Sequence, residues 1–254
     1  MEVNFLGVGE AFDERLPNTS ILIRIETERS PVVLLLDCGF TAPSQFWKQG
    51  LGVDELDGIW ISHFHGDHFF GIPAMLVRFW EEGRRKELAF LGQAGIEKST
   101  RDALDLAYQG FSEKIGFPVR FIEIEPNNLV EIFGISFRTV ENVHSKRDLA
   151  LRIDAGGKSV YYSGDGRPTP EGVELARGCS LIIQEAFHTE TEIPGHSTVT
   201  QAIAMGKECE ALNLALVHIH RDVRKQLAEG LGTFKQMALP LNLVLPEPGF
   251  RVWV

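Results

Sequence analysis

Apolar residues near the start of the chain come in short runs rather than at helical spacing: Val3 to Val8, Ser20 to Ile25, Val32 to Leu36 and Gly58 to Ser62. Each run is closed by glycine, proline or charged turn residues, so the pattern predicts strands and a sheet-rich beginning. From His68 the period changes. Ile72, Met75, Leu76 and Phe79 recur at helical spacing, as do apolar positions from Ile96 to Tyr108, while Leu88 to Leu91 and Val119 to Ile124 read as strands. The second half repeats the plan with strand-like Ile135 to Val140, Leu149 to Ile153, Ser159 to Tyr162 and Leu181 to Gln184. A helix follows, capped at Ser197 or Thr198, and then another buried-looking strand, Leu212 to Val217. No linker rich in Pro, Gly or Ser divides the halves, and no repeat appears. The expected fold is therefore α/β, two sheets packed face to face with helices outside, in one domain spanning residues 1–254.

With 254 residues, 44% hydrophobic and 24% charged, the chain has ample material for a core. A formal net charge of -10 removes the global positive field that recruits nucleic acid. The local clusters Arg84-Arg85-Lys86 and Arg221 to Lys225 read as solvated loop or helix faces. Cys38, Cys179 and Cys209 are odd in number, widely spaced and without a CxxC pair, so no disulfide framework is expected. That usage fits a reducing cytoplasm. The amino terminus has no basic region or long apolar run, and no stretch approaches a membrane span, so a soluble cytoplasmic protein is expected.

The densest chemistry lies in Ile59-Trp60-Ile61-Ser62-His63-Phe64-His65-Gly66-Asp67-His68. On a strand running into a loop, His63 and His65 can point the same way, and Gly66 lets the chain turn so that Asp67 and His68 face a second centre. One segment can thus serve two metal ions. Further candidate ligands follow apolar runs elsewhere: Asp37, His144, Asp165 and His218. Strand ends at one edge of a sandwich bring distant residues together, so these groups are expected to converge.

In order, these motifs resemble those of the metallo-β-lactamase superfamily: an Asp after a strand, His-x-His-x-Asp-His, a later His, an Asp and a final His. The resemblance covers nearly the whole chain and implies an αβ/βα four-layer sandwich, two mixed β-sheets flanked by helices, with a site at one edge. It implies that His63, His65 and His144 hold one metal, that Asp67, His68 and His218 hold the other, that Asp165 bridges them, and that Asp37 orders the histidine loop. A nitrogen-rich ligand set favours zinc, with manganese or iron as alternatives. Two ions bridged by a carboxylate can share a hydroxide nucleophile and stabilise a leaving oxygen.

Within the superfamily the chain looks most like the RNase Z-like branch, which includes small cyclic-nucleotide and other phosphodiesterases. Phe5-Leu6-Gly7-Val8-Gly9, Leu36-Asp37-Cys38-Gly39 and Gly195-His196-Ser197-Thr198 following Glu185-Ala186-Phe187 carry this likeness. It makes His196 and Glu185 candidates for proton delivery to a leaving alkoxide and places them with Asp67 as the candidate catalytic residues. His220 ranks second to His218 as last ligand; His188 reads as surface or substrate lining, and Arg167 as a phosphate contact or surface. Phe69, Phe70, Phe79 and Trp80 read as core.

The chain departs from tRNA-processing members, which carry a long arm between the third motif and the bridging Asp. Here Asp165 follows His144 by only 21 positions, which leaves a hairpin from Leu149 to Tyr162 and no arm. With the acidic charge, this argues against long RNA and for a small phosphodiester or nucleotide-like substrate. The alternatives are lactone or thiolester hydrolysis on the same fold, tRNA 3′-processing without the arm, and a non-catalytic binding module. The helical segments after His68 and around Ile96 are candidates for a homodimer interface, and no membrane partner is expected.

Overall fold

A computed structural model describes residues 1–254. The first sheet contains β1 (Glu2–Gly7), β2 (Ser20–Ile25), β3 (Val32–Leu36), β4 (Gly58–Ile61), β5 (Leu88–Gly92) and β6 (Val119–Glu123). The second contains β7 (Val130–Ile132), β8 (Ile135–Asn142), β9 (Asp148–Ala155), β10 (Lys158–Tyr162), β11 (Leu181–Glu185), β12 (Asn213–Val217) and β13 (Asn242–Val244). A last strand, β14 (Arg251–Trp253), returns to the first sheet beside β1. The strand orders are β14-β1-β2-β3-β4-β5-β6 and β13-β12-β11-β10-β9-β8-β7. Both sheets are mixed: β1 to β3 and β7 to β10 pair antiparallel, whereas β3 to β6 and β10 to β13 pair parallel.

Helices α1 (Ala42–Trp47), α2 (Gly66–Phe69), α3 (Ile72–Glu81) and α4 (Ile96–Ala107) accompany the first sheet, and α5 (Pro170–Ala176), α6 (Val199–Glu208) and α7 (Arg221–Ala238) the second. Strand periodicity builds three cores from these elements. In β3, Val32, Leu34 and Leu36 join the core between the sheets, while Val33 and Leu35 pack with Phe46, Leu76 and Phe79 beneath the helices. Ile182 and Tyr161 likewise face α5 and α6, whereas Leu181, Ile183 and Tyr162 face inward. A strand covered on both faces can be apolar throughout, which is why these runs carry no alternation. The result is the four-layer αβ/βα arrangement expected from the sequence.

Several local expectations change. Thr198, rather than Ser197, caps α6: its side chain accepts from the Gln201 N–H while the Gln201 side chain accepts from its own N–H. Arg84 is no solvated loop residue. It is 3% exposed, donates to the carbonyls of Val53, Leu56, Lys86 and Glu87, and lies over the Phe79 and Phe117 rings. Four backbone acceptors in an apolar setting satisfy the buried guanidinium. The Arg221 to Lys225 cluster opens α7, with Arg224 buried against Pro246 and Glu247. Phe69 and Phe79 are core as expected, but Phe70 and Trp80 are 53% and 43% exposed. No helix is long and apolar enough to cross a membrane, and all three cysteines are free and buried.

Candidate metal centre

The carboxyl ends of β3, β4, β8, β10, β11 and β12 lie at one edge of the sandwich, because parallel neighbours end together and the antiparallel strands between them turn at the other edge. They deliver Asp37, His63, His144, Asp165, Glu185 and His218 respectively. The loop after β4 supplies His65, and one turn of α2 supplies Asp67 and His68. Gly39 permits this loop to close, since a Cβ there would meet the Asp67 carbonyl oxygen at 1.8 Å. Cys38 N–H donates to His68 and Gly71 N–H to Cys38, locking the two loops together. Asp37 and His218 adopt left-handed backbone conformations, φ 58° and 55°. Such strain at non-glycine positions clusters at functional sites, and both residues lie in this one.

Seven side chains form two donor groups. In one, His63 Nε2 lies 3.0 Å from His65 Nδ1, which lies 3.2 Å from His144 Nε2. In the other, Asp67 Oδ2 is 3.3 Å from His68 Nε2 and 3.2 Å from His218 Nε2, while the two Asp165 oxygens each approach one of these histidines at 3.3 Å. Asp165 Oδ2 is also 4.0 Å from both His63 Nε2 and His144 Nε2, so one carboxylate stands between the groups. A tetrahedral ion with bonds of about 2.0–2.2 Å separates its donors by roughly 3.3 Å, so both groups fit a divalent cation such as zinc.

The supporting hydrogen bonds fix which atom faces inward. His144 Nδ1 donates to the Gly195 carbonyl at 2.8 Å, leaving Nε2 as its free donor atom. His68 Nδ1 lies 2.7 Å from Asp37 Oδ2. Its buried Nε2 has no hydrogen-bond partner, and neither has Asp165 Oδ1. Unpaired buried polar atoms are costly, and a cation between them removes that cost. Asp37 is fully buried and also accepts from Ser62 N–H, Ser62 Oγ and Tyr162 OH, at 2.8, 2.8 and 2.6 Å. Through Tyr162 it ties the second sheet to the histidine loop of the first.

Charge divides along the same line. Burial, then neighbouring imidazoles, push the His63 and His65 pKa values down to about 4. Burial also opposes charge on His218, but Asp165 and Asp67 outweigh it and hold its pKa up at about 9. Asp67 resists burial in the same way and stays well below the carboxylate range beside His68 and His218. Protons thus balance the acidic group when ions are absent, so metal binding there releases protons and weakens in acid.

His196 and Glu185 stand beside this constellation. A ring nitrogen of His196 and donor atoms of His144 and Asp165 lie within 4.8 Å of one another, and the ring stacks on Phe187 with centroids 4.5 Å apart. Glu185 is fully buried, accepts from Ser197 N–H at 2.6 Å and Gly166 N–H at 3.1 Å, and approaches His196 Nδ1 to 3.6 Å, which is beyond hydrogen-bond length. Burial, then the Asp165 charge, raise its pKa well above normal. His220 is outside both donor groups: its Nδ1 accepts from Asp222 N–H at the start of α7, and its ring stacks on His188. Arg167 pairs with Glu192 at 2.9 Å.

Sequence reasoning passed over Asp148, the fully buried first residue of β9, whose Oδ1 lies 3.1 Å from His63 Nδ1. A single acid opening the apolar run Leu149-Ala150-Leu151 was the one available signal.

Residues 1–237 match the family described as anti-Pycsar protein Apyc1. Ribonuclease Z of Methanosarcina acetivorans is 26% identical over 310 aligned positions, covering 99% of each chain. That of Listeria monocytogenes is 26% identical over 310 positions, covering 98% of this chain and 100% of the relative. With 254 residues here against 310 aligned positions, at least 56 positions of each relative have no counterpart in this chain. Among solved structures, human tRNase Z, short form, superposes with a TM-score of 0.79 at 22% identity, covering 100% of this chain and 99% of that one. The metallo-β-lactamase fold protein YhfI from Bacillus subtilis gives 0.78 at 19% identity, covering 99% and 98%. The fold is the metallo-β-lactamase fold.

Proposed function

We propose, from the premise that the chain belongs to the anti-Pycsar protein Apyc1 family, that it is a two-metal hydrolase of small, nucleotide-like phosphodiesters. It is an RNase Z-like member of the metallo-β-lactamase superfamily. The observation that carries the reading is the placement of Asp165, within 3.3 Å of donors in one group and 4.0 Å of donors in the other. Two divalent ions, zinc by preference, would be held by His63, His65 and His144 and by Asp67, His68 and His218, with Asp165 shared. When bound they supply Lewis acidity toward a phosphoryl oxygen and a strong nucleophile from water at neutral pH.

The protein's own groups do the rest. Asp37 holds the His68 ring by Nδ1 and the Gly195 carbonyl holds that of His144, so neither imidazole has to reorganise when substrate arrives. His196 lies where its protonated ring can give a proton to a departing alkoxide and then regain one from solvent, with the buried Glu185 3.6 Å from its Nδ1.

The size of the substrate follows from what the chain lacks. β9 and β10 are joined by Gly156 and Gly157 alone, both with positive φ, as a two-residue hairpin turn requires. The resemblance puts the RNA-gripping arm of tRNA-processing enzymes between the counterparts of His144 and Asp165, a segment that here holds only this hairpin. With the net charge of -10, little remains to hold a polyanion. The name of the Ribonuclease Z relatives favours RNA cleavage as the second reading. Metal analysis combined with assays on bis(p-nitrophenyl) phosphate, cyclic nucleotides, an unprocessed tRNA, lactones and thiolesters separates these readings. Turnover of a lactone or thiolester with no diester cleaved would replace ours.

Exposed Phe70 beside Phe40, and Trp80 beside Phe111, are the faces on which a homodimer would form. Three free, buried cysteines suit a reducing cytoplasm.

A further inference from the structure

His63 can use Nε2 as a ligand atom only if Nδ1 keeps its proton and the ring is held from behind. Two oxygens lie there: Ser62 Oγ, hydrogen-bonded at 3.0 Å, and Asp148 Oδ1, in contact at 3.1 Å. Ser62 Oγ is neutral and already donates to Asp37. Asp148 brings a carboxylate that is fully buried, as is His63.

The same oxygen of Asp148 accepts the main-chain N–H of Asp165 at 3.2 Å, and its other oxygen accepts from Asn142 Nδ2 at 3.3 Å. Gly164, at φ 61°, makes this approach feasible, since a Cβ there would meet Asp148 Oδ1 at 2.4 Å. One carboxylate therefore joins a ligand of the three-histidine group to the backbone of the residue standing between both groups. The acidic group has a counterpart in Asp37 behind His68. The three-histidine group has no carboxylate of its own, and Asp148 places a carboxyl oxygen directly behind its most buried member.

We propose that Asp148 is the positioning residue of the three-histidine subsite, orienting His63 and setting its distance from Asp165. This rests on the two-metal reading. Carboxylates behind ligating histidines typically contribute 10- to 100-fold in metal affinity.

The test is zinc titration of the chelator-stripped protein, read by competition with a chromophoric chelator. Wild type is expected to bind two ions per chain. Asp148→Ala should weaken one of the two steps by roughly 10- to 100-fold and leave the other unchanged. Asp148→Asn, which keeps size and one acceptor and so preserves the fold, should weaken the same step by about 10-fold. The loss should vanish when Asp148→Ala is combined with His63→Ala, and persist in full beside His218→Ala. Equal weakening of both steps, or a loss that persists without His63, would make Asp148 a general structural residue and overturn the proposal. Wild-type affinity in both Asp148 variants would overturn it outright. A wild-type chain binding fewer than two ions would remove the two-metal reading and the proposal with it, so the two failures are distinguishable.

Discussion

His63, His65 and His144 present three neutral nitrogens, and two of these residues are only half-buried, whereas Asp67, His68, Asp165 and His218 are all buried and combine two carboxylates with two imidazoles. The first group is the less buried; the second is closed and charged. A cation gains more from the second, because low dielectric strengthens its attraction to the carboxylates. The first depends on orientation supplied from behind, by Asp148 and the Gly195 carbonyl. On the proposed two-metal reading, two sites a few ångströms apart would thus reach metal affinity by different physical routes.

Asp165 is where the contrast collapses, since its carboxylate stands between both groups. Asp165→Ala should therefore lower occupancy at both ions and reduce diester hydrolysis by at least about 1,000-fold, as expected when a preorganised electrostatic element is lost. Metal analysis and kcat on bis(p-nitrophenyl) phosphate check this. Loss of a single ion would show that the carboxylate belongs to one group only.

The next effects separate the groups. His218→Ala should remove the ion of the acidic group while sparing the other, and His65→Ala the reverse, each costing about 10- to 100-fold or more in the affinity of one step. His196→Ala should leave both ions in place. It should slow cleavage of a diester with an alkyl or ribose leaving group by roughly 100-fold, and p-nitrophenolate release far less, because p-nitrophenolate departs without a proton. Equal losses on both substrates would assign His196 to phosphate binding.

The smallest effect concerns the metal-free protein and has opposite signs in the two groups. His218, held up at about 9 against an unfolded value near 6.5, stabilises the fold fully below about pH 6.5 and loses that contribution as pH rises through 9. His63 and His65, held down at about 4, act in reverse: as pH falls from 6.5 to 4 the unfolded chain takes up protons that the folded one refuses, so stability falls. Melting temperature measured against pH in chelator should show both limbs. His218→Ala should flatten the alkaline limb and His65→Ala the acid one.

The sandwich was legible because sheets covered on both faces leave uninterrupted apolar runs such as Val32 to Leu36, and because turn residues bound them. The donor residues were legible because they cluster in one histidine-rich loop or stand within a few positions of the end of such a run. Helix α7 was not, since Gly230 and Gly232 dilute its pattern and only Arg224, Leu227 and Ala238 are buried in it. Arg84 looked like surface because the carbonyls that satisfy it come from Val53 and Leu56, far away in sequence. Asp148 escaped for the same reason: a buried acid is recognised by its partner, and His63 lies 85 positions earlier. His188 and His220 stack on each other beside Phe187, outside both donor groups.

The turn at Gly156 and Gly157 lies at the edge of the sheets opposite the donor atoms, and a side chain added at either glycine would meet nothing within 4 Å. The donor atoms and this open turn therefore stand at opposite ends of the second sheet. A peptide spliced between these glycines would alter what the protein can hold without disturbing how it cuts, and such exposed tips accept insertions readily. On the proposed function, an appendage added here would change which substrates the fold can hold. Grafting a basic, RNA-binding hairpin there is a practical route to redirecting it.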